Sequence, residues 1–309
     1  MAPEILEGLV ITHLGKALAV ESPEGQVVVC HSRRCIVDVA VGDRVRWEPC
    51  GGAQGLVVDV LPRKSVLVRP AHGGKLRTVA ANLDCVWVVV AVAPEPDFLL
   101  VDQILSVCEH RQIDAGLVLN KSDLVRGREA IEEALEDYRS AGYRLLKVSV
   151  RTGSGLDELR QALRDRCSLL AGQSGVGKSS LTHALLPDRS VRINELSQKS
   201  GLGRHTTTAA TLYHLPEGGN LIDSPGVTVF GLAEMSGRDI AGGYREFHDF
   251  LDRCQFNDCR HLGDKGCAIR VAVDQGRISA ERYGRYRRLL AKSANTSLFA
   301  GASASRSED

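Results

Sequence analysis

The chain is poor in aromatic side chains. Phe, Trp and Tyr supply 5% of its 309 residues, so any core it builds has to be mainly aliphatic. It also lacks net charge: 39 Lys and Arg face 38 Asp and Glu, formally +1. A balance that close gives the whole molecule no general attraction to polyanions or membranes. No run of about 18 uncharged apolar residues occurs, which argues against a membrane-spanning helix. The first residues, MAPEILEGLV, carry acids where a secretory leader needs bases, so the expected location is cytoplasmic. An evenly spaced cysteine framework is missing too. Cys30, Cys35, Cys50, Cys85, Cys108 and Cys167 are scattered among apolar or strand-like segments. They read as small buried or half-buried residues in a reducing compartment. Three further cysteines cluster near the C-terminus.

What is present divides the chain into three expected units. Residues 1–72 show short strand patterns near 8–20, 25–31, 43–48 and 54–69, separated by turn residues and without a helical repeat. That pattern predicts a small β-barrel. Pro70, Gly73 and Gly74 read as a hinge. Residues 73–232 are the second unit, in which strands and helices alternate from about residue 79. Residues 85–92 form a continuous apolar run, as a parallel strand covered on both faces should. Helices are expected over 97–112, 127–141 and 156–166, and strands over 115–119, 143–150 and 167–171, giving an α/β sheet with helices on both faces. Residues 233–309 hold the clustered cysteines, then a basic helix near 279–292 and a Ser- and Ala-rich tail expected to be disordered.

Gly172, Gln173, Ser174, Gly175, Val176, Gly177, Lys178 and Ser179 fit the pattern GxxxxGK[ST] between a strand and a helix, with Ser180 opening that helix. Glycines let backbone amides turn inward on phosphate oxygens, and the helix N-terminus favours the anion. Lys178 supplies a point charge to the β- and γ-phosphates, and Ser179 a hydroxyl to Mg²⁺. A loop of this kind does not choose between ATP and GTP. Asn120, Lys121, Ser122 and Asp123 do, because they match the NKxD pattern of GTPases. An Asp carboxylate can accept from guanine N1–H and the 2-amino group, a donor pair adenine does not present. A helix cap is the plain alternative for Asn120-Lys121. Ser149, in a strand-to-helix turn that runs on to Gly155, resembles the second guanine-contacting loop. The base-reading segments therefore precede the phosphate loop, and the nucleotide domain is circularly permuted. Its switch segments then feed straight into the cysteine region, so a γ-phosphate that orders a switch could move the C-terminal domain.

Asp223-Ser224-Pro225-Gly226 matches DxxG. Asp223 is expected near Mg²⁺ and the Gly226 amide near the γ-phosphate. Among Thr206, Thr207 and Thr208, the family pattern favours Thr207 as the further Mg²⁺ ligand, with its neighbours left open. Many GTPases place a water-orienting glutamine after that glycine; here it is Val227, which cannot polarise water. His205 is the candidate replacement, a solvent-facing loop histidine being the alternative. Cys254, Cys259, His261 and Cys267 offer three thiolates and an imidazole, a set that closes a tetrahedral Zn²⁺ shell and points to a structural site. Arg282, Arg285, Arg287, Arg288 and Lys292 with Tyr283 and Tyr286 on the last helix, and Arg33 and Arg34 in a barrel loop, suit RNA. A solvated helix face is the default for such a pattern.

This series of motifs resembles the ribosome small subunit-dependent GTPase A family over roughly residues 5–292. The resemblance implies an OB-fold barrel, a circularly permuted P-loop GTPase domain and a C-terminal zinc-binding, mainly helical domain. It also implies late maturation of the 30S subunit with contacts to 16S rRNA, hydrolysis of GTP to GDP stimulated by that subunit, and one structural zinc beside the Mg²⁺ that accompanies GTP. Nothing in the sequence demands a dimer or a membrane. Two competing readings are a permuted GTPase acting on another ribosomal particle, and an RNA-binding module whose nucleotide site is a slow timer.

Overall fold

The computed structural model describes residues 4–51, 54–70, 76–125, 127, 129–186, 210–224, 231–232 and 234–304. Its N-terminal strands are β1 (Leu6–Leu14), β2 (Ala17–Glu21), β3 (Val27–Ser32), β4 (Arg44–Cys50) and β5 (Gln54–Val60). The strand expected over 8–20 is two strands, because the chain reverses at Gly15, whose φ of 66° suits glycine. The order β1-β2-β3-β5-β4 closes when β4 pairs back onto β1, giving a five-stranded barrel of OB type. Val10, Val20, Cys30, Val45, Trp47 and Val57 fill it. Cys35 and Cys50 are exposed, unlike the buried or half-buried cysteines expected: one lies in the loop after β3 and the other at the outer end of β4. The strand expected over 54–69 also breaks, since β5 stops at Val60 just before Pro62. Its second half is β6 (Val66–Pro70), paired antiparallel with β7 (Leu76–Ala81). The expected hinge around Pro70, Gly73 and Gly74 therefore falls in a hairpin connection, whose residues 71–75 lie outside those described.

The nucleotide sheet continues in chain order: β8 (Cys85–Ala91), α1 (Phe98–His110), β9 (Asp114–Asn120), α2 (Glu129–Ser140), β10 (Arg144–Lys147), α3 (Leu156–Leu163), β11 (Cys167–Ala171), α4 (Lys178–Leu185), β12 (Thr211–His214) and β13 (Asn220–Asp223). Across the sheet the order is β10-β9-β8-β11-β13-β12, parallel except for β12. Side chains of a strand alternate between faces, so β8 divides its apolar run. Val86, Val88 and Val90 pack with Ile104, Leu105 and Leu135 of α1 and α2. Trp87 and Val89 pack with Leu159, Leu163 and Leu181 of α3 and α4. The outer strand β12 meets β1, where the Thr12 and Thr211 hydroxyls lie 3.0 Å apart, so barrel and sheet join edge to edge.

Helices complete the described chain: α5 (Gly237–Gly242), α6 (His248–Leu251), α7 (Ala268–Asp274) and α8 (Ala280–Ala304). The helix of α8 continues past 292 into the tail whose composition suggested disorder. The larger correction concerns its basic face. Arg282, Tyr286, Leu289 and Ser293 follow the helical period and form a buried stripe, joined by Tyr283 and Arg285. Arg282 and Asp102 of α1 are each 1% exposed. The Arg282 guanidinium donates to Asp102 Oδ1 at 2.5 Å and forks onto Glu246 at 2.6 and 3.0 Å. Arg285 Nε donates to Asp102 Oδ2 at 2.8 Å, and the Tyr138 hydroxyl to Oδ1 at 2.6 Å. Two cations and two anions thus balance in a dry contact between α8 and the nucleotide domain. Burial works against the Arg282 charge, but Asp102 and Glu246 outweigh it and push its pKa up. Arg282, Arg285, Tyr283 and Tyr286 are consequently structural and not offered to RNA; Arg287, Arg288 and Lys292 keep exposed positions. Removing one member of such a pair strands the other charge in low dielectric. Asp102→Asn is expected to lower unfolding stability by about 3–5 kcal/mol in urea titrations. A loss below about 1 kcal/mol, the range of exposed pairs, would show that the network is not holding the helix.

Candidate guanine-nucleotide and metal sites

The phosphate loop leaves the buried end of β11 and returns as α4. Two of its glycines are required by what lies beside them. A Cβ on Gly172 would sit 2.3 Å from the Val89 carbonyl oxygen, and one on Gly177 2.4 Å from Asn120 Nδ2, with φ of 136° and 94°. Lys178 Nζ donates to the carbonyl oxygens of Gly172 and Gln173, both at 2.7 Å, so the ammonium sits inside the turn it serves. Burial lowers its pKa, and the carboxylate of Asp223 at the end of β13 opposes that shift. Asp223 ends the strand that pairs in parallel with β11, from which the loop leaves. Ser174, Ser179 and Ser180 are exposed at the loop and the start of α4, while Val176 is anchored in the core.

The base-reading segment is tied to this loop directly. Asn120, buried at the end of β9, donates from Nδ2 to the Val176 carbonyl oxygen at 2.9 Å. Lys121, in a left-handed turn with φ of 56°, donates to the carbonyl oxygens of Ala93 at 2.5 Å and Gly175 at 2.9 Å. Ser122 begins the 3-10 turn Ser122–Leu124, and its amide donates to the Val148 carbonyl oxygen. Asp123 accepts from the Ser149 hydroxyl at 2.5 Å on Oδ1 and from Arg151 Nε at 2.8 Å on Oδ2. The Ser149 bond first, and Arg151 after it, hold the Asp123 carboxyl below the usual carboxylate range. Ser149 is itself fixed: its amide donates to the Ser154 carbonyl oxygen, and its hydroxyl accepts from the Thr152 amide at 3.2 Å.

Asn120 and Lys121 thus touch the loop Gly172–Ser179 directly, while Asp123 and Ser149 pair with each other in the turns that follow β9 and β10. His205, Thr206, Thr207, Thr208, Gly226 and Val227 lie outside the described residues. Sequence reasoning missed two participants. The segment between β8 and α1 accepts Lys121 at Ala93, accepts Gln173 Nε2 at the Glu95 carbonyl oxygen (2.9 Å), and gives the Asp97 amide to Gln173 Oε1 (2.7 Å). Its two prolines, Pro94 and Pro96, marked a stiff loop but carried no ligand signature. Arg151 was the other, an ordinary surface cation by composition.

The second cluster is compact. One ligand atom from each of Cys254, Cys259, His261 and Cys267 lies within 4.8 Å of all the others. His261 Nδ1 is 3.5 Å from Cys254 Sγ and 3.6 Å from Cys267 Sγ. Tetrahedral zinc bonds to sulfur and nitrogen imply ligand edges of about 3.6 Å, so the set fits such an ion. The Tyr283 hydroxyl donates to the His261 carbonyl oxygen at 2.6 Å, and that of Tyr286 to the Arg260 carbonyl oxygen at 2.9 Å. The buried tyrosines of α8 thereby hold the ligand loop from behind. Burial pushes the Cys259 and Cys267 thiols up and the His261 imidazole down. Thiolates there need a cation to form near neutral pH.

A phosphate loop on the central strand of a parallel sheet, with the base-reading turn on a strand earlier in the chain, defines a circularly permuted P-loop GTPase fold. Comparison with known proteins narrows this. The family model described as RsgA GTPase matches residues 60–233. A curated relative from Dickeya dadantii (strain 3937), named small ribosomal subunit biogenesis GTPase RsgA, is 46% identical over 92% of this chain and 84% of its own length. A protein of the same name from Klebsiella pneumoniae subsp. pneumoniae is 45% identical over 99% of this chain and 90% of its own. The crystal structure of YjeQ from Thermotoga maritima superposes with a TM-score of 0.76 at 30% identity, covering 94% of this chain and 99% of that one. YloQ, described as a circularly permuted GTPase, gives 0.74 at 25% identity, over 95% and 96%. The chain belongs to the RsgA GTPase family.

Gly177 offers a sharp test of the loop geometry. A methyl group there meets the Asn120 amide and imposes an unfavourable φ. Gly177→Ala is expected to weaken GDP binding by at least about ten-fold in calorimetric titration, the effect of some 1.4 kcal/mol of strain or displacement. Wild-type affinity would mean that Asn120 and the loop need not sit as described.

Proposed function

We propose that this protein is a GTPase of small-subunit assembly. It binds the 30S ribosomal subunit and 16S rRNA late in maturation and hydrolyses GTP to GDP and phosphate, with the subunit stimulating turnover. The observation that carries the reading is the direct stitching of Asn120 and Lys121 to Val176 and Gly175, which seats a guanine reader against a phosphate loop. Near full-length similarity to proteins named for small ribosomal subunit biogenesis supports the partner. Gly172 to Ser180 hold the phosphates, Asn120 to Asp123 and Ser149 the base, and Gly226 the γ-phosphate. Ser179, Thr207 and Asp223 hold Mg²⁺, which screens the phosphate charge when bound. His205 orients or deprotonates the attacking water, because Val227 cannot. A cytoplasmic location accords with relatives named for small ribosomal subunit biogenesis, and the reading needs only one copy of the chain.

Turnover measured alone, with 30S and with 50S subunits tests this. The expected result is strong stimulation by 30S only, and a large loss of stimulated turnover in His205→Ala with GTP affinity kept. Stimulation by 50S alone, or none at all, overturns the assignment. Zinc is assigned to Cys254, Cys259, His261 and Cys267 as a structural ion. Elemental analysis of metal-replete protein should find near-stoichiometric zinc, and Cys259→Ser should lower it together with thermal stability. Absence of zinc from the wild type would reject the site.

A further inference from the structure

Asp123 is the residue on which guanine selectivity rests, and both of its oxygens already have partners. An ionised carboxylate offers roughly four lone-pair sites. The Ser149 hydroxyl takes one on Oδ1. Arg151 closes on Oδ2 with two nitrogens, Nε at 2.8 Å and Nη2 at 2.8 Å. Guanine presents two donors to this carboxylate, N1–H and the 2-amino group, and needs both oxygens to use them. Oδ1 retains a site for one donor; Oδ2 is taken up by the guanidinium fork. Arg151 is itself open to water, its side chain 74% exposed against 11% for Asp123. It can therefore leave without disturbing the core.

We propose that Arg151 is an internal competitor for the guanine seat: it occupies the Asp123 oxygen that the base's second donor must reach, yields it when guanine enters, and reclaims it as guanine leaves. This rests on Asp123 being the base reader. An exposed ion pair is weak, so the competition tunes affinity and does not block the site. Arg151 thereby promotes release of guanine nucleotide while keeping the empty carboxylate ionised and aimed. Hypoxanthine separates this role from general electrostatics. It has N1–H but no 2-amino group, and its single donor can use the site left on Oδ1 with Arg151 in place. The competitor thus penalises guanine and spares hypoxanthine, whereas the mere loss of a positive charge near the nucleotide would affect both alike.

The test is calorimetric binding of GDP and of inosine diphosphate to the full chain, wild type and with Arg151→Ala or Arg151→Lys. The readout is the ratio of the inosine to the guanosine dissociation constant. Arg151→Ala is expected to raise this ratio about two- to five-fold, the range that an exposed ion pair carries. Arg151→Lys keeps the charge but loses the fork, and should move the ratio in the same direction by less. An unchanged or lowered ratio in Arg151→Ala overturns the proposal, since the arginine would then be inert or would favour the guanine complex. Equal binding of the two nucleotides in both the wild type and Arg151→Ala fails differently: it refutes Asp123 as the base reader, and the competitor with it.

Discussion

The Asp102 carboxylate is the contact on which the arrangement of the molecule depends. It is buried in the middle of α1, between the sheet and the C-terminal helices, and alone it would be prohibitive there. Arg282 and Arg285 reach it from α8, two tyrosine hydroxyls share its oxygens, and Glu246 balances the second cation. The aromatic faces matter as well. The Arg282 guanidinium lies 4.4 Å from the Tyr138 ring centroid and 4.7 Å from that of Tyr244. Arg285 Nη2 is buried without a hydrogen bond, and the ring of Phe98 at 5.5 Å is its partial compensation. A few of the chain's sparse aromatics are thus spent on one ionic contact. Charged groups fix helix register more strictly than aliphatic ones would, because a slip of one residue exposes every partner's desolvation penalty at once.

From that contact two sites take their positions. Towards the nucleotide, α1 is capped at its N-terminus by Asp97, whose amide is bound by Gln173 of the phosphate loop. Towards the metal ligands, α8 presents Tyr283 and Tyr286 to the carbonyl groups of His261 and Arg260. The phosphate loop, α1, α8 and the cysteine loop therefore form one chain of direct contacts. Permutation makes this compact. The base-reading strand comes early, so the helix before it, α1, is available to carry the module made last.

Much of the nucleotide site was legible because its chemistry dictates its residues. A backbone that wraps phosphate needs glycine at left-handed positions, and a reader of guanine needs a carboxylate; Gly172, Gly177 and Asp123 announce themselves in any order along the chain. The Cys/His set was legible for the same reason. The face of α8 was not. Arginine and tyrosine at helical spacing look alike whether they meet water, RNA or a buried carboxylate. What decides is Asp102, 180 residues away in sequence and disguised inside an apolar helix. The hinge expected at Pro70 failed on similar grounds, since proline and glycine mark a turn but not whether its flanks pair. Arg151 left no signal at all, because a surface arginine acquires meaning only from the oxygen it touches.

The same geometry constrains how a nucleotide signal can travel. A helix held by two buried arginines, with its N-cap clamped by Gln173, cannot shift far without separating desolvated charges. That makes α1 a strut between the two sites. Asp223 differs. It ends β13, the neighbour of β11, and residues 224–236 lead from it to α5, which packs on α1. The nucleotide domain is therefore joined to the module that carries the Cys/His cluster by one stiff packed contact and one direct covalent path. The permuted order places the covalent path there, because in this chain the DxxG strand is the last of the sheet. Order along the chain thus puts the covalent link and the buried ionic contact on the same C-terminal module.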